Sequence, residues 1–236
     1  MKKNNLLKSI SVFLVMLMLS MVFVPAACAQ AESNVAFSSE NMIPAENVKM
    51  LKDDSDSKIA AVTADDGSVL YSMSWADSKV AGRVNFVLMT EDDLASKGYL
   101  TTNSLSDSEI AASVSKASAS FWYGSYVQTY GNSLTGGVQI HFSQRDAVMV
   151  TSVSTGATGA VVGAAICSVV PGIGTTAGAL IGAAVASLVP IYYWRAQNSD
   201  GSLDVKISFV VMNAMAIGIP GVGHFILFGH IYHYLK

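Results

Sequence analysis

The sequence predicts an α+β protein with a small antiparallel sheet and short helices. A Gly- and Ala-rich apolar helical hairpin is inserted between two of the strands. Segments with alternating apolar and polar residues, typical of half-buried strands, stand on both sides of a long uncharged run. That run extends from Ala147 to Trp194 without Lys, Arg, Asp or Glu. Because Pro171 and Gly172 interrupt it near its middle, we expect two helices of about 20 residues each, joined by a turn at this pair.

Composition divides the chain into five parts. We predict a signal peptide at 1–29, a flexible acidic linker or propeptide at 30–56, a strand-rich acidic region at 57–143, an apolar glycine-zipper hairpin at 144–197 and an apolar C-terminal strand region at 198–236.

Residues 1–29 have the parts of a secretory signal: a basic start, an apolar run and a small-residue cleavage motif, in which Ala27 and Ala29 flank Cys28. Cleavage after Ala29 predicts a protein that is secreted or associated with the cell surface. Lipid attachment at Cys28 is an alternative, although Pro25 stands where that signal has an aliphatic residue. An uncleaved anchor is disfavoured because the apolar run is short for a membrane span.

Charge and cysteine content argue against a nucleic-acid-binding protein and against a protein stabilised by disulfides. Removal of the signal takes away three of the 14 basic residues and none of the 17 acidic ones, so the mature chain is acidic. No basic stripe is available for phosphate, and we therefore expect no nucleic-acid partner. Cys167 is the single cysteine left after cleavage, which excludes an intrachain disulfide in the mature chain.

Alternation predicts individual strands on both sides of the hairpin. Their apolar positions are Val69, Tyr71, Met73 and Trp75 in one strand, Val84, Phe86 and Leu88 in the next, Val138, Ile140 and Phe142 before the hairpin, and Leu203, Val205, Ile207, Phe209 and Val211 after it. Thr90 and Ser106 each precede an acid by three residues and are predicted to begin short helices. The aromatic run at 121–130 is interpreted as a core strand, with sugar binding or membrane contact as alternatives.

Small residues recur every four positions in the uncharged run. They are Gly159 and Gly163 before the turn, and Gly174, Gly178, Gly182 and Ala186 after it. This spacing places small residues on one stripe of each helix and favours close packing of two helices. We expect the two stripes to pack against each other across the turn; packing against neighbouring chains in a homo-oligomer is the alternative.

The end of the second hairpin helix has the composition of a membrane interface. Tyr192, Tyr193, Trp194 and Arg195 follow one another there, as aromatic belts and cationic anchors do at bilayer surfaces. We therefore predict a lipid membrane as partner, entered by the hairpin with its turn leading. The aliphatic content makes insertion of the first helix alone marginal.

The chain offers no recognisable catalytic motif, so we predict a protein that is not an enzyme and has no cofactor. His230 and His233 stand three residues apart, but no acidic ligand is near in sequence, and no metal site is predicted. The polar segment 198–202 resembles a calcium loop only superficially and is interpreted as a turn.

The order of strand, Gly/Ala-rich hairpin, polar turn and strand between Gly136 and Val211 resembles small exported bacteriocin-like proteins with a glycine-zipper helical hairpin. The resemblance implies a secreted, membrane-active protein that forms pores or perturbs a target membrane. Two alternatives stay open. The hairpin could anchor a non-enzymatic cell-surface protein, or it could be the core of a soluble exported binding module.

Overall fold

A computed structural model describes most of the chain from residue 48 onward. The described residues are 48–54, 56–63, 66–100, 106–132, 135–152, 159, 162–163, 165–167, 170, 175–216, 227–229 and 231–232. The predicted signal peptide with Ala27 and Ala29, the predicted turn at Pro171 and Gly172, and Gly174 lie outside these residues.

Nine strands form one antiparallel sheet, in which each strand pairs with the next along the chain. The strands are β1 (Val48–Asp53), β2 (Ser57–Thr63), β3 (Val69–Ala76), β4 (Arg83–Thr90), β5 (Tyr126–Tyr130), β6 (Gly137–Phe142), β7 (Leu203–Ser208), β8 (Leu227–Phe228) and β9 (Ile231–Tyr232). The described helices are α1 (Glu91–Ser96), α2 (Asp107–Phe121), α3 (Gln144–Ser152), α4 (Thr175–Ala196) and α5 (Phe209–Ala216).

The predicted α+β fold is wrong in the size of its sheet. The sheet is an uninterrupted meander of nine strands instead of a small sheet beside a dominant hairpin. One cause is β1, which lies inside the predicted linker at 30–56. It pairs along its length with the neighbouring strand β2 and contacts α2, and these contacts stabilise it without a regular alternation in its own sequence.

The predicted hairpin of two apolar helices long enough to span a membrane is also wrong. Of the two predicted helices of about 20 residues, α4 has about that length, whereas α3 ends at Ser152. In α4, Pro190 removes a backbone donor inside the helix. Among the described residues, no helix combines the length and the apolar character that a bilayer crossing requires. Six Ser or Thr residues between Ala147 and Val170 offset the aliphatic ones and explain why the missing charge was misleading.

The uncharged run packs against one face of the sheet. Buried side chains of this first face are shared by the strands and by the run; they include Phe86, Phe142, Ile140 and Val205 from strands, and Val162, Ile166, Ile181, Val185 and Val189 from the run. Phe86 and Phe142 meet edge to face, with ring centroids 5.7 Å apart. The run is therefore part of the core in this structure.

The second face of the sheet is covered by α2 over β1 to β4. Val114, Ala117 and Phe121 of the helix pack with Ile59 and Met89 of the strands. The predicted helix starts are confirmed, because Asp93 N donates to Thr90 Oγ1 over 3.1 Å at α1 and Glu109 accepts from Ser106 N over 2.8 Å at α2. These starts fix where α2 begins and leave β5 to β7 beyond its end.

Strand β7 is shorter than alternation predicts. Phe209 and Val211 belong to α5 and not to the strand. Ser208 produces the change, since its Oγ accepts from Val211 N over 3.3 Å as a cap. Phe209 N also donates to Gly136 O over 3.0 Å, so the start of α5 remains tied to β6.

Candidate ligand-binding cleft and open sheet face

The second face of β5 to β7 carries polar and aromatic side chains that are partly exposed. We call this surface the open face and define it by Tyr126, Gln128, Gln139, His141, Asp204 and Lys206, with Arg83 at its border on β4. Cross-strand register aligns these residues in two rows: Tyr126 opposite His141 and His141 opposite Asp204, then Arg83 opposite Gln128, Gln128 opposite Gln139 and Gln139 opposite Lys206. The sheet thus gathers side chains from distant parts of the chain.

Tyr126 holds the centre of the open face in place. The His141 ring stacks on it with centroids 4.9 Å apart and an interplanar angle of 18°. The Arg83 guanidinium lies 4.1 Å from the Tyr126 ring centroid and donates from Nε and Nη2 to Gln128 Oε1. Because the Arg83 guanidinium contacts both the Tyr126 ring and the Gln128 amide, the three side chains hold one another in one orientation.

His141 and Asp204 form a hydrogen-bonded pair in the first row. His141 Nδ1 lies 3.0 Å from Asp204 Oδ1, which also accepts from Gln139 Nε2 over 2.9 Å. Asn198 Nδ2 donates to the other carboxylate oxygen over 3.1 Å. The hydrogen bond from His141, followed by those from Gln139 and Asn198, holds the pKa of Asp204 well below its usual range. An ionised Asp204 fixes the His141 ring and leaves Nε2 as the nitrogen that can meet a ligand.

A cleft of about 530 Å³ adjoins this pair. It lies where β6 runs into α3, between the segment that follows α2 and the turn between α4 and β7. Its lining residues are Tyr123, His141, Ser143, Gln144, Arg145, Val148, Asp200 and Ser202. Tyr123 is 64% exposed and Val148 is also exposed, so the cleft presents apolar surface beside its polar groups.

The turn between α4 and β7 is fastened tightly to the cleft. Asp200 Oδ1 accepts from Ser202 N over 3.0 Å and from Ser202 Oγ over 2.6 Å, and these bonds lower the pKa of Asp200. Gly201 has a φ of 80°, and a Cβ there would lie 2.7 Å from Gln144 Cγ. Tyr193 Oη donates to Gly201 O over 3.1 Å. The turn therefore needs glycine and holds its side chains in fixed positions.

Arg145 is already committed to three acceptors. Its Nη1 donates to Leu88 O over 2.7 Å and to Asp146 Oδ1 over 3.1 Å, and its Nη2 donates to Asp93 Oδ2 over 2.7 Å. Asp146 is fully buried and accepts from Ser125 Oγ over 2.5 Å. Burial raises the pKa of Asp146 to about 6, against the lowering effect of these hydrogen bonds and of Arg145. A closed ion-pair network thus supports the start of α3.

The structure brings four of the predicted helix-packing residues together. A methyl group placed on Gly178 would overlap Cys167 Sγ and lie 2.9 Å from Gly163 O, and one on Gly182 would overlap Gly159 O. Ala186 is buried farther along α4. The two stripes meet within this chain and pack beneath the sheet.

The predicted membrane-interface residues do not share one surface. Tyr193 is 1% exposed and is held by its bond to Gly201, while Tyr192 is partly buried. Trp194 is 69% exposed, its ring packing edge to face on Tyr193, and Arg195 is exposed beside it. The helical period separates these neighbours because successive residues differ by about 100° around the axis.

Sequence reasoning missed the open face and the cleft. In the sequence, His141 and Asp204 stand at the polar positions between the apolar residues of two predicted strands, and this was the available signal. Their pairing across 63 residues depends on β6 lying next to β7, and the long insertion between these strands concealed it. In the described part of the chain, no three His, Cys, Asp or Glu side chains are grouped so that they could hold a metal ion.

Comparisons with known proteins add no relative from which a role could be carried over. No protein-family model matches the sequence, and neither the curated proteins nor the solved structures provide a significant match.

Proposed function

We propose that the chain is an exported binding module that holds a small polar ligand in the cleft beside His141. The observation that carries the proposal is the ordered His141–Asp204 pair at a cleft of about 530 Å³, a volume typical of small-molecule sites. Rigid strands and a fastened turn supply its walls, and such preorganisation lowers the entropic cost of binding. Export is inferred from the signal-like residues 1–29.

The packing of the uncharged run supports this reading over the hairpin-anchored one. Ile166, Ile181 and Val189 are fully buried against the sheet. Membrane insertion of the run would expose the first face of the sheet, where Phe86 and Phe142 are also fully buried. Keeping the run in the core leaves the open face and the cleft available for recognition.

Heteronuclear NMR on protein purified after expression of the full-length chain tests the proposal. A set of small neutral, anionic and cationic polar compounds is titrated in turn, and backbone amide shifts are followed. We expect at least one class to shift the amides of Tyr123, His141, Gln144 and Ser202 saturably, because these residues line one cleft. His141→Ala should abolish the response, whereas Lys97→Ala, on an exposed turn outside the cleft, should retain it. Unshifted cleft amides throughout the set would refute the proposal.

A second candidate function, contact with a membrane surface, is favoured by the exposed end of α4. Ile191 is 61% exposed and Trp194 69% exposed, and with a spacing of three they lie on the same side of the helix next to Arg195. An aromatic, an aliphatic and a cationic side chain together suit the headgroup region of a bilayer. This candidate uses the surface of the folded chain and requires no crossing of the membrane.

Cosedimentation with vesicles of neutral and anionic lipid separates this candidate from the first. If α4 docks on lipid, Ile191→Ser together with Trp194→Ala should remove the protein from the vesicle pellet, while Tyr123→Ala should leave it there. Equal recovery of wild type and the double variant in the pellet would rule out this contact. Leakage of an entrapped dye by the wild type distinguishes perturbation from simple binding.

A further inference from the structure

We infer that the ligand of the cleft is a neutral saccharide, an inference that rests on the proposed binding function and names its chemical class. Tyr123 is the first reason. Its side chain is 64% exposed, although aromatic rings usually bury most of their surface, and it stands directly in the lining of the cleft. An exposed tyrosine ring offers an apolar face together with a polar tip, which matches the alternation of C–H and hydroxyl groups on a sugar ring.

The polar groups of the cleft are the second reason. Gln144 supplies an amide with donors and an acceptor, Asp200 supplies a carboxylate with acceptor capacity beyond its two bonds to Ser202, and His141 supplies Nε2. Together they offer both donors and acceptors. Hydroxyl groups, which each donate one hydrogen bond and accept others, can satisfy such a mixed set, whereas a ligand with acceptors alone would leave Asp200 unmatched.

Charge decides between neutral and charged sugars. Apart from His141, the lining residues that carry charge are Arg145 and Asp200, one of each sign. Three of the five N–H donors of Arg145 are directed to Leu88, Asp93 and Asp146, and the carboxylates of Asp93 and Asp146 already balance its charge, so the guanidinium offers an anionic ligand little net attraction. Asp200 would in addition repel an anion. The cleft therefore favours a saccharide without carboxylate or sulfate groups.

The open face provides a route for a longer chain. Gln139 stands two residues before His141 on β6 and belongs to the second row, which continues over Gln128 to Arg83, with adjacent strands about 4.8 Å apart. These amides lie partly exposed on the surface. An oligosaccharide seated on Tyr123 can extend across several strands, so we expect affinity to rise with the number of sugar units.

An array of neutral and acidic oligosaccharides, probed with the purified protein, tests the inference, and NMR titration of the best ligand locates its site. We expect neutral glycans to bind and to shift the amides of Tyr123, His141 and Gln144. Loss of the ring in Tyr123→Ala should weaken binding roughly 2- to 10-fold, while Tyr123→Phe keeps most of it. Trp194→Ala serves as the matched control, since it removes an exposed aromatic ring elsewhere and should have no effect.

The outcomes separate the inference from the function on which it rests. If small polar compounds shift the cleft amides but no glycan on the array binds, the saccharide assignment is overturned and the binding function stands. If acidic glycans bind as tightly as neutral ones of equal length, the argument from Arg145 and Asp200 fails. If neither glycans nor small compounds reach the cleft, both proposals are overturned.

Discussion

Asp146 illustrates how one buried carboxyl links the cleft to the stability of the fold. It is fully buried, and its burial raises the pKa to about 6 from an ordinary value of 3.8. Because the folded state binds this proton more tightly than the unfolded state, Asp146 stabilises the fold below about pH 4. That contribution is lost as the pH rises through 6, and the difference between the two pKa values corresponds to on the order of 3 kcal/mol.

Asp146→Asn should therefore change the pH dependence of stability. The amide keeps the shape of the carboxyl but does not titrate, so the stability of the variant relative to wild type is expected to rise between pH 4 and pH 7. Urea unfolding at several pH values measures the difference in the free energy of unfolding between the variant and wild type. Asp200→Asn is the control, because the pKa of Asp200 is lowered and its contribution has the opposite sign, being lost as the pH falls. A constant difference between wild type and Asp146→Asn would contradict the role given to burial.

At the scale of elements, the sequence predicts what depends on a local period and misses what depends on distant partners. Alternation correctly identifies β3, β4 and β6, since the alternating apolar residues of each strand pack in one core, although β3 and β4 also bury residues of their other face. Strand β1 was missed because Met50 and Leu51 stand next to each other and break the alternation, at the point where the pairing with β2 shifts register. The cleft was missed because Tyr123, His141 and Asp200 come from the segment after α2, from strand β6 and from the turn before β7, and no spacing in the sequence brings them together.

The contact of α4 with the preceding segment is sensitive to the smallest added group. A methyl group at Gly182 would overlap Gly159 O and lie 2.8 Å from Gly163 Cα, and both obstacles are backbone atoms that cannot rotate away. We expect Gly182→Ala to lower the free energy of unfolding by about 1 to 3 kcal/mol, despite the better helix propensity of alanine. Ser187→Ala is the matched control, as its hydroxyl donates to Ala184 O within α4. Equal stability of the two variants would show that the helices separate easily.

At the scale of the whole molecule, one sheet separates two cores. The uncharged run covers the first face and α2 covers the second, so the strands β2 to β4 contribute side chains to both. The sequence shows that the run is apolar and lies between strands. Its composition alone does not tell whether the run is buried in a membrane or against a sheet. A bilayer and a sheet both remove apolar side chains from water, and the sheet is available only once its strands have paired.

Because both cores share the same strands, we expect the described fold to unfold as one cooperative unit. Phe86→Ala on the first face should cost about 3 to 5 kcal/mol and Val114→Ala on the second face about 2 kcal/mol, and each should move a single transition to lower denaturant. Near-ultraviolet circular dichroism, which reports aromatic packing, and far-ultraviolet circular dichroism, which reports secondary structure, should give coincident midpoints in both variants. If Val114→Ala instead split the transition while Phe86→Ala did not, α2 and its core would be a separate unit. The open face would then lie at the border between two units, and its alignment with the cleft would no longer be fixed by the sheet.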